Sequence, residues 1–150
     1  MKKVYLASSF AYTDKTKTEE RKMTMEIFQR HLNMLGFEVY NPSQLKIENA
    51  WDYSMYDWGN LVFQEDKKAL DECDFVVFIS YGKENNSGSV WEVGYAYALG
   101  KKIIMVSMNE NSPESLMVIH SCRACLKGFE AFLSYDFESM PETKIDCVES

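Results

Sequence analysis

Asp74-Phe75-Val76-Val77-Phe78-Ile79-Ser80 is the stretch from which the fold is read. It is apolar from Phe75 to Ile79, with none of the polar alternation of a half-exposed strand. That pattern belongs to a strand covered on both faces, and such strands are found in parallel sheets flanked by helices. The loop Tyr81-Gly82-Lys83-Glu84-Asn85-Asn86-Ser87-Gly88 follows, then a helix from about Ser89 to Leu99 stopped by Gly100. Ile103-Ile104-Met105-Val106 reads as the next strand.

Working toward the amino end, a helix is expected over about 57–72. Residues 43–56 are polar and irregular, with Trp51, Tyr53 and Tyr56 interspersed. Phe37 to Tyr40 reads as a strand stopped by Asn41-Pro42. Residues 17–35 read as a helix, with Met23, Ile27, Phe28, Leu32 and Leu35 near helical spacing and Gly36 as its cap. Lys3 to Ala7 is a short buried strand ending at Ser8-Ser9. Toward the carboxyl end, 114–126 reads as helical and Phe129 to Leu133 as a fifth strand. The alternation predicts one doubly wound α/β domain over 1–150. Its five-stranded parallel sheet would have helices on both faces, in flavodoxin-like order. Ligands of such sheets bind at the carboxyl ends of the strands, at the switch point. The segments Ser8–Tyr12 after the first strand and Tyr81–Gly88 after the third would meet there, with Ser8, Phe10, Asn86 and Gly88 as the substrate-binding candidates.

A chain of 150 residues is one domain's worth and buries a core without staples. Sixteen Lys and Arg against 23 Asp and Glu give a net charge of −7. That excludes the basic stripe of a nucleic-acid polymer binder, but not a small nucleoside. Met1-Lys2-Lys3 is basic, yet the apolar run after it spans only Val4 to Ala7, so no secretory signal is expected. No apolar run suggests a membrane span. The expected location is the cytoplasm, with Cys73, Cys122, Cys125 and Cys147 as reduced thiols.

Few segments suggest chemistry. In Ser89-Val90-Trp91-Glu92 the spacing fits a capping box, with Glu92 bonding the Ser89 amide. The competing reading makes Glu92 a nucleophile, ionised near the positive end of the helix dipole. On spacing alone Asp66 reads as a solvated helical acid, with an acid of a site as the competing reading. Tyr5 would be core, with its hydroxyl tied to a partner that is a carboxylate on the functional reading. His120 and the C-x-x-C pair Cys122/Cys125 lack a second such pair, so no metal is expected. Phosphate-loop and dinucleotide fingerprints are missing, as is a nucleophile elbow.

Together these segments resemble the nucleoside 2-deoxyribosyltransferase family from residue 4 to about residue 120. The resemblance lies in Val4-Tyr5-Leu6-Ala7-Ser8-Ser9-Phe10; in Trp58, Phe63 and Asp66; and in Cys73 to Val77. It continues through Asn86 to Ala96, similar to the family's D-[ST]-G-[ST]-x-[WF]-E-x-G-x-A, and Ser115-Leu116-Met117. It implies that Glu92 attacks the anomeric carbon of a 2-deoxyribose, that Tyr5 orients Glu92, and that Asp66 assists the departing base. It implies that Ser115 and Met117 reach into a neighbouring subunit's site, in a homo-oligomer built from dimers, possibly a hexamer. No cofactor is implied; the partners are a nucleoside or nucleotide and a free nucleobase. Two positions depart from the family. Asn86 replaces the usual Asp, and Ser115 replaces the usual Asn. Related deoxynucleoside 5′-monophosphate N-glycosidases have phosphate-binding serines at both. Ser115 thus leans toward a nucleotide, whereas Ser8 to Tyr12 contains no arginine to clamp a phosphate. Transfer between nucleosides is the first expectation. Monophosphate hydrolysis is the alternative, and an inactive nucleotide-binding module is a third.

Overall fold

The computed structural model describes residues 1–143. Cys147 lies outside them. Five strands alternate with helices: β1 Lys3–Ser8, α1 Lys15–Met34, β2 Glu38–Tyr40, α2 Met55–Glu72, β3 Phe75–Ser80, α3 Ser87–Ala98, β4 Lys102–Ser107, α4 Leu116–Ser121, β5 Ala124–Lys127 and α5 Gly128–Ser134. The sheet order is β2-β1-β3-β4-β5, and every pairing is parallel. This is the flavodoxin-like order, with its switch point between β1 and β3.

Alternation along the strands divides the core. Val4, Leu6, Phe75, Val77 and Ile79 face α1 and α5, meeting Met25, Phe28, Leu32 and Phe132. Tyr5, Ala7, Val76 and Phe78 face the other way, meeting Leu70, Val93, Ala96, Val118 and Ile119 from α2, α3 and α4. Both faces of β3 are therefore covered, which explains its unbroken apolar run. Among the described residues, no helix is long and apolar enough to cross a membrane.

The last part of the chain departs from the sequence expectation. Phe129 to Leu133 is helical, inside α5, and the fifth strand is Ala124–Lys127, overlapping the end of the stretch read as helix. Gly128, at φ +80°, turns the chain between them. Phe129 and Phe132 are three apart, a helical spacing, and both pack on Phe28, with centroids at 5.2 and 4.4 Å. On α1 the buried stripe is Met25, Phe28 and Leu32, whereas Met23, Ile27 and Leu35 are exposed.

Candidate active site

The switch point opens into a cavity of about 420 Å³, a size that suits a small ligand. Ser8, ending β1, and Phe10 form one wall, and Gly88, Trp91 and Glu92 of α3 form another. The third is one face of α2, where Gly59, Val62, Phe63, Asp66, Lys67 and Leu70 recur at helical spacing. Phe63 and Trp91 meet edge to face at 5.3 Å. Ser8 Oγ donates to Ile79 O at 3.2 Å, so its hydroxyl is anchored to the sheet.

Glu92 does not cap its helix. α3 begins at Ser87, with Asn86 as N-cap, so Glu92 lies in the second turn. Ser89 is already helical, and its hydroxyl faces Ser9 Oγ at 3.5 Å. The capping-box reading is thereby overturned, and so is the dipole argument, because that effect fades beyond the first turn. Instead Glu92 Oε2 accepts a hydrogen bond from the Tyr5 hydroxyl, 87 residues away in sequence. Burial pushes the Glu92 carboxyl up to about 7; the Tyr5 hydrogen bond lowers it and the Asp66 charge raises it. The Tyr5 phenol is itself raised, by burial first and then by the Glu92 charge. Tyr5 therefore stays a donor at any ordinary pH.

Asp66 faces inward rather than solvent, half-buried among the cavity residues of α2. Its Oδ1 accepts from the Tyr40 hydroxyl at 2.8 Å. Burial raises its carboxyl above the ordinary range, the Tyr40 bond opposes the rise, and the Glu65 charge adds to it. Sequence reasoning passed over Tyr40. Its signal was its position at the end of β2, in register with Tyr5. Two tyrosine–carboxylate pairs thus stand side by side, with the rings of Tyr5 and Tyr40 stacked at 5.3 Å.

Other expected residues lie elsewhere. Asn86 heads α3, but its amide turns to Glu114, donating to Oε1 at 3.0 Å and Oε2 at 2.8 Å. Glu114 was also missed, because a lone acid in a polar loop reads as solvated. Ser115 caps α4, accepting from Val118 N. Met117 is 85% exposed and lines a separate apolar groove with Val90, Gly94 and Tyr97. The chain's own fold does not bring these two to the Glu92 cavity. Tyr12 packs beneath Lys17 and Arg21 rather than lining the cavity. Cys122 Sγ donates to Val118 O at 3.2 Å. Among the described residues no cluster of three or more His, Cys, Asp or Glu suited to a metal occurs.

Known proteins share this fold. The family model described as nucleoside 2-deoxyribosyltransferase matches residues 4–134. A solved structure of a 2-deoxyribosyltransferase from the psychrotolerant bacterium Bacillus psychrosaccharolyticus superposes with a TM-score of 0.77 at 26% identity, covering 94% of this chain and 97% of that one. A conserved protein from Enterococcus faecalis V583 shares the fold, with a TM-score of 0.66 at 16% identity over 89% of this chain and 95% of the other. No curated protein matches the sequence. The match spans most of the chain, including both tyrosines and both carboxylates of the cavity, and the chain belongs to the nucleoside 2-deoxyribosyltransferase family.

Proposed function

We propose that the protein cleaves the N-glycosidic bond of 2′-deoxynucleosides and transfers the sugar to another nucleobase through a covalent ester on Glu92. The observation that carries this reading is the hydrogen bond from buried Tyr5 to Glu92, which lines a cavity together with Asp66. Tyr5 occupies Oε2 and leaves Oε1 for the anomeric carbon. Glu92 attacks C1′ in its ionised form, and the base departs with the bonding electron pair. Asp66, its carboxyl raised by burial, supplies a proton or hydrogen bond to the leaving nitrogen. A second base then attacks C1′ from the opposite face, its ring proton passes to the Asp66 carboxylate, and the ester bond to Glu92 breaks. Two inversions give net retention. The edge-to-face pair of Phe63 and Trp91 offers an aromatic wall to a flat base.

We further infer a homo-oligomer in which Ser115 and Met117 complete a neighbouring copy's site. Leu116 and Met117 are 63% and 85% exposed, which is unusual for apolar side chains without a partner. They border an apolar groove of about 530 Å³ between α3 and α4.

The test supplies 2′-deoxyinosine or thymidine with free adenine and follows 2′-deoxyadenosine by chromatography. Exchange that is lost in Glu92→Ala supports the reading; no exchange from any purine or pyrimidine donor refutes it. Release of base from a 5′-monophosphate alone would point instead to the hydrolase reading, which the Ser115 position motivates.

A further inference from the structure

Two loops above the carboxyl ends of the sheet are built as one unit. One runs from Ser80 to Asn86 after β3 and the other from Met108 to Ser115 after β4. Gly82, at φ +88°, passes so close to Ser112 that a Cβ there would lie 2.0 Å from Ser112 O. Met108 N–H donates to Ser80 O at 2.8 Å. Glu114 sits at the centre, only 6% exposed. Its Oε1 accepts from Ser80 Oγ at 2.8 Å, and both its oxygens accept from Asn86 Nδ2. Acceptance at both oxygens is the pattern of an ionised carboxylate. Among the described residues no Lys or Arg forms an ion pair with it.

The location gives that charge a consequence. Asn86 opens α3, a helix of 12 residues, yet its side chain makes no cap hydrogen bond. The Asn86 side chain thus accepts from none of the first-turn amides, and Gly88 of that turn lines the reaction cavity. An open helix N-terminus beside a cavity is a place that welcomes a phosphate. Here a buried carboxylate is anchored to the residue that heads the helix. Of the basic side chains near these loops, Lys83 is exposed within the first, and two others are engaged. Lys17 pairs with Glu84, and the Arg21 guanidinium lies over the Tyr81 ring at 3.6 Å.

We propose that Glu114 is a specificity-determining residue: its fixed negative charge at the head of α3 repels a 5′-phosphate and admits the uncharged 5′-hydroxyl of a 2′-deoxynucleoside. The assignment rests on the deoxynucleoside reading of the cavity. It accounts for Asn86 as well. An aspartate there would set two carboxylates against each other, whereas the amide donates to both oxygens of Glu114.

Calorimetric binding of 2′-deoxyadenosine and of its 5′-monophosphate to the full chain tests it without turnover. The unmodified protein binds the nucleoside at least about tenfold more tightly, as like-charge juxtaposition requires. E114Q strengthens monophosphate binding and closes most of that gap. N86D/E114Q returns one carboxylate to the pair with its hydrogen bonds reversed, and the gap reopens. On the unmodified protein, salt raised from about 0.02 to 0.5 M narrows the gap. Equal binding of the two ligands by the unmodified protein overturns the assignment. So does a gap that neither E114Q nor salt changes. Absence of base exchange with this preference intact refutes the reaction at Glu92 and leaves Glu114 as the discriminating residue. Binding of neither ligand overturns both.

Discussion

Tyr5 and Tyr40 lie opposite each other on neighbouring parallel strands, with ring planes 19° apart and hydroxyls directed to different carboxylates. Strand register therefore sets side by side the two hydroxyls from which Glu92 and Asp66 accept. Tyr5→Phe keeps the ring and removes the donor that holds the Glu92 carboxyl down. Turnover at pH 7 should fall roughly tenfold, since a hydrogen bond to a charged group is worth about 1.5–3 kcal/mol. The acidic limb of the pH–rate profile should move to higher pH. An unchanged profile would mean that Tyr5 only fills space.

The rate should rise as pH passes upward through about 7, where the Glu92 carboxyl ionises. A pH series of kcat/KM from about 5 to 9 checks this. A rate flat across that interval would show that ionisation of Glu92 does not limit the reaction.

The same shift has an opposite effect on stability. A carboxyl raised from 4.5 to about 7 binds its proton more tightly in the folded chain than in the unfolded one. Stability is therefore lost as pH rises through that window, and the cost is complete above about 7. Glu92→Gln removes the ionisation. It should stabilise the protein at pH 8 by about 1–3 kcal/mol relative to its effect at pH 4.5, read from denaturant midpoints. A uniform effect at both pH values would contradict the burial argument.

Much of this was legible in the chain alone. The run from Phe75 to Ile79 announces β3 because burial on both faces requires an apolar side chain at every position. The fifth strand was not legible. Ala124 to Lys127 is four residues long, too short for period 2 to show against the helical spacing of its neighbours. Glu92, Tyr5 and Asp66 drew notice as motif members, but spacing alone favoured a cap and a solvated acid. What decides their role is contact between distant segments: Tyr5 with Glu92 across 87 residues, Tyr40 with Asp66 across 26. Glu114 joins Ser80 across 34. Local periodicity carries no information about such pairs.

Asp66→Asn removes the carboxyl proposed to serve the leaving base and keeps the Tyr40 hydrogen bond. Loss of a general acid costs roughly 100-fold or more in kcat for an ordinary purine donor. A donor whose base leaves without protonation should be nearly spared, with KM changed little for either. Equal losses for both donors would remove Asp66 from the departure step.

Met117→Arg places a charge on the exposed rim of the α3–α4 groove. Light scattering should show a smaller assembly, and turnover should fall with it, because each cavity would lose its borrowed segment. Full activity in a monomer would contradict shared sites.

The central claim is the covalent ester on Glu92. Incubation with a 2′-deoxynucleoside without acceptor base, followed by acid quench and mass spectrometry of the proteolysed chain, tests it most directly. The expected result is one deoxyribosyl unit on the peptide containing Glu92, removed on adding a free base and undetectable in Glu92→Ala. An unmodified peptide under conditions where base exchange proceeds, or the adduct on Asp66 instead, would contradict it.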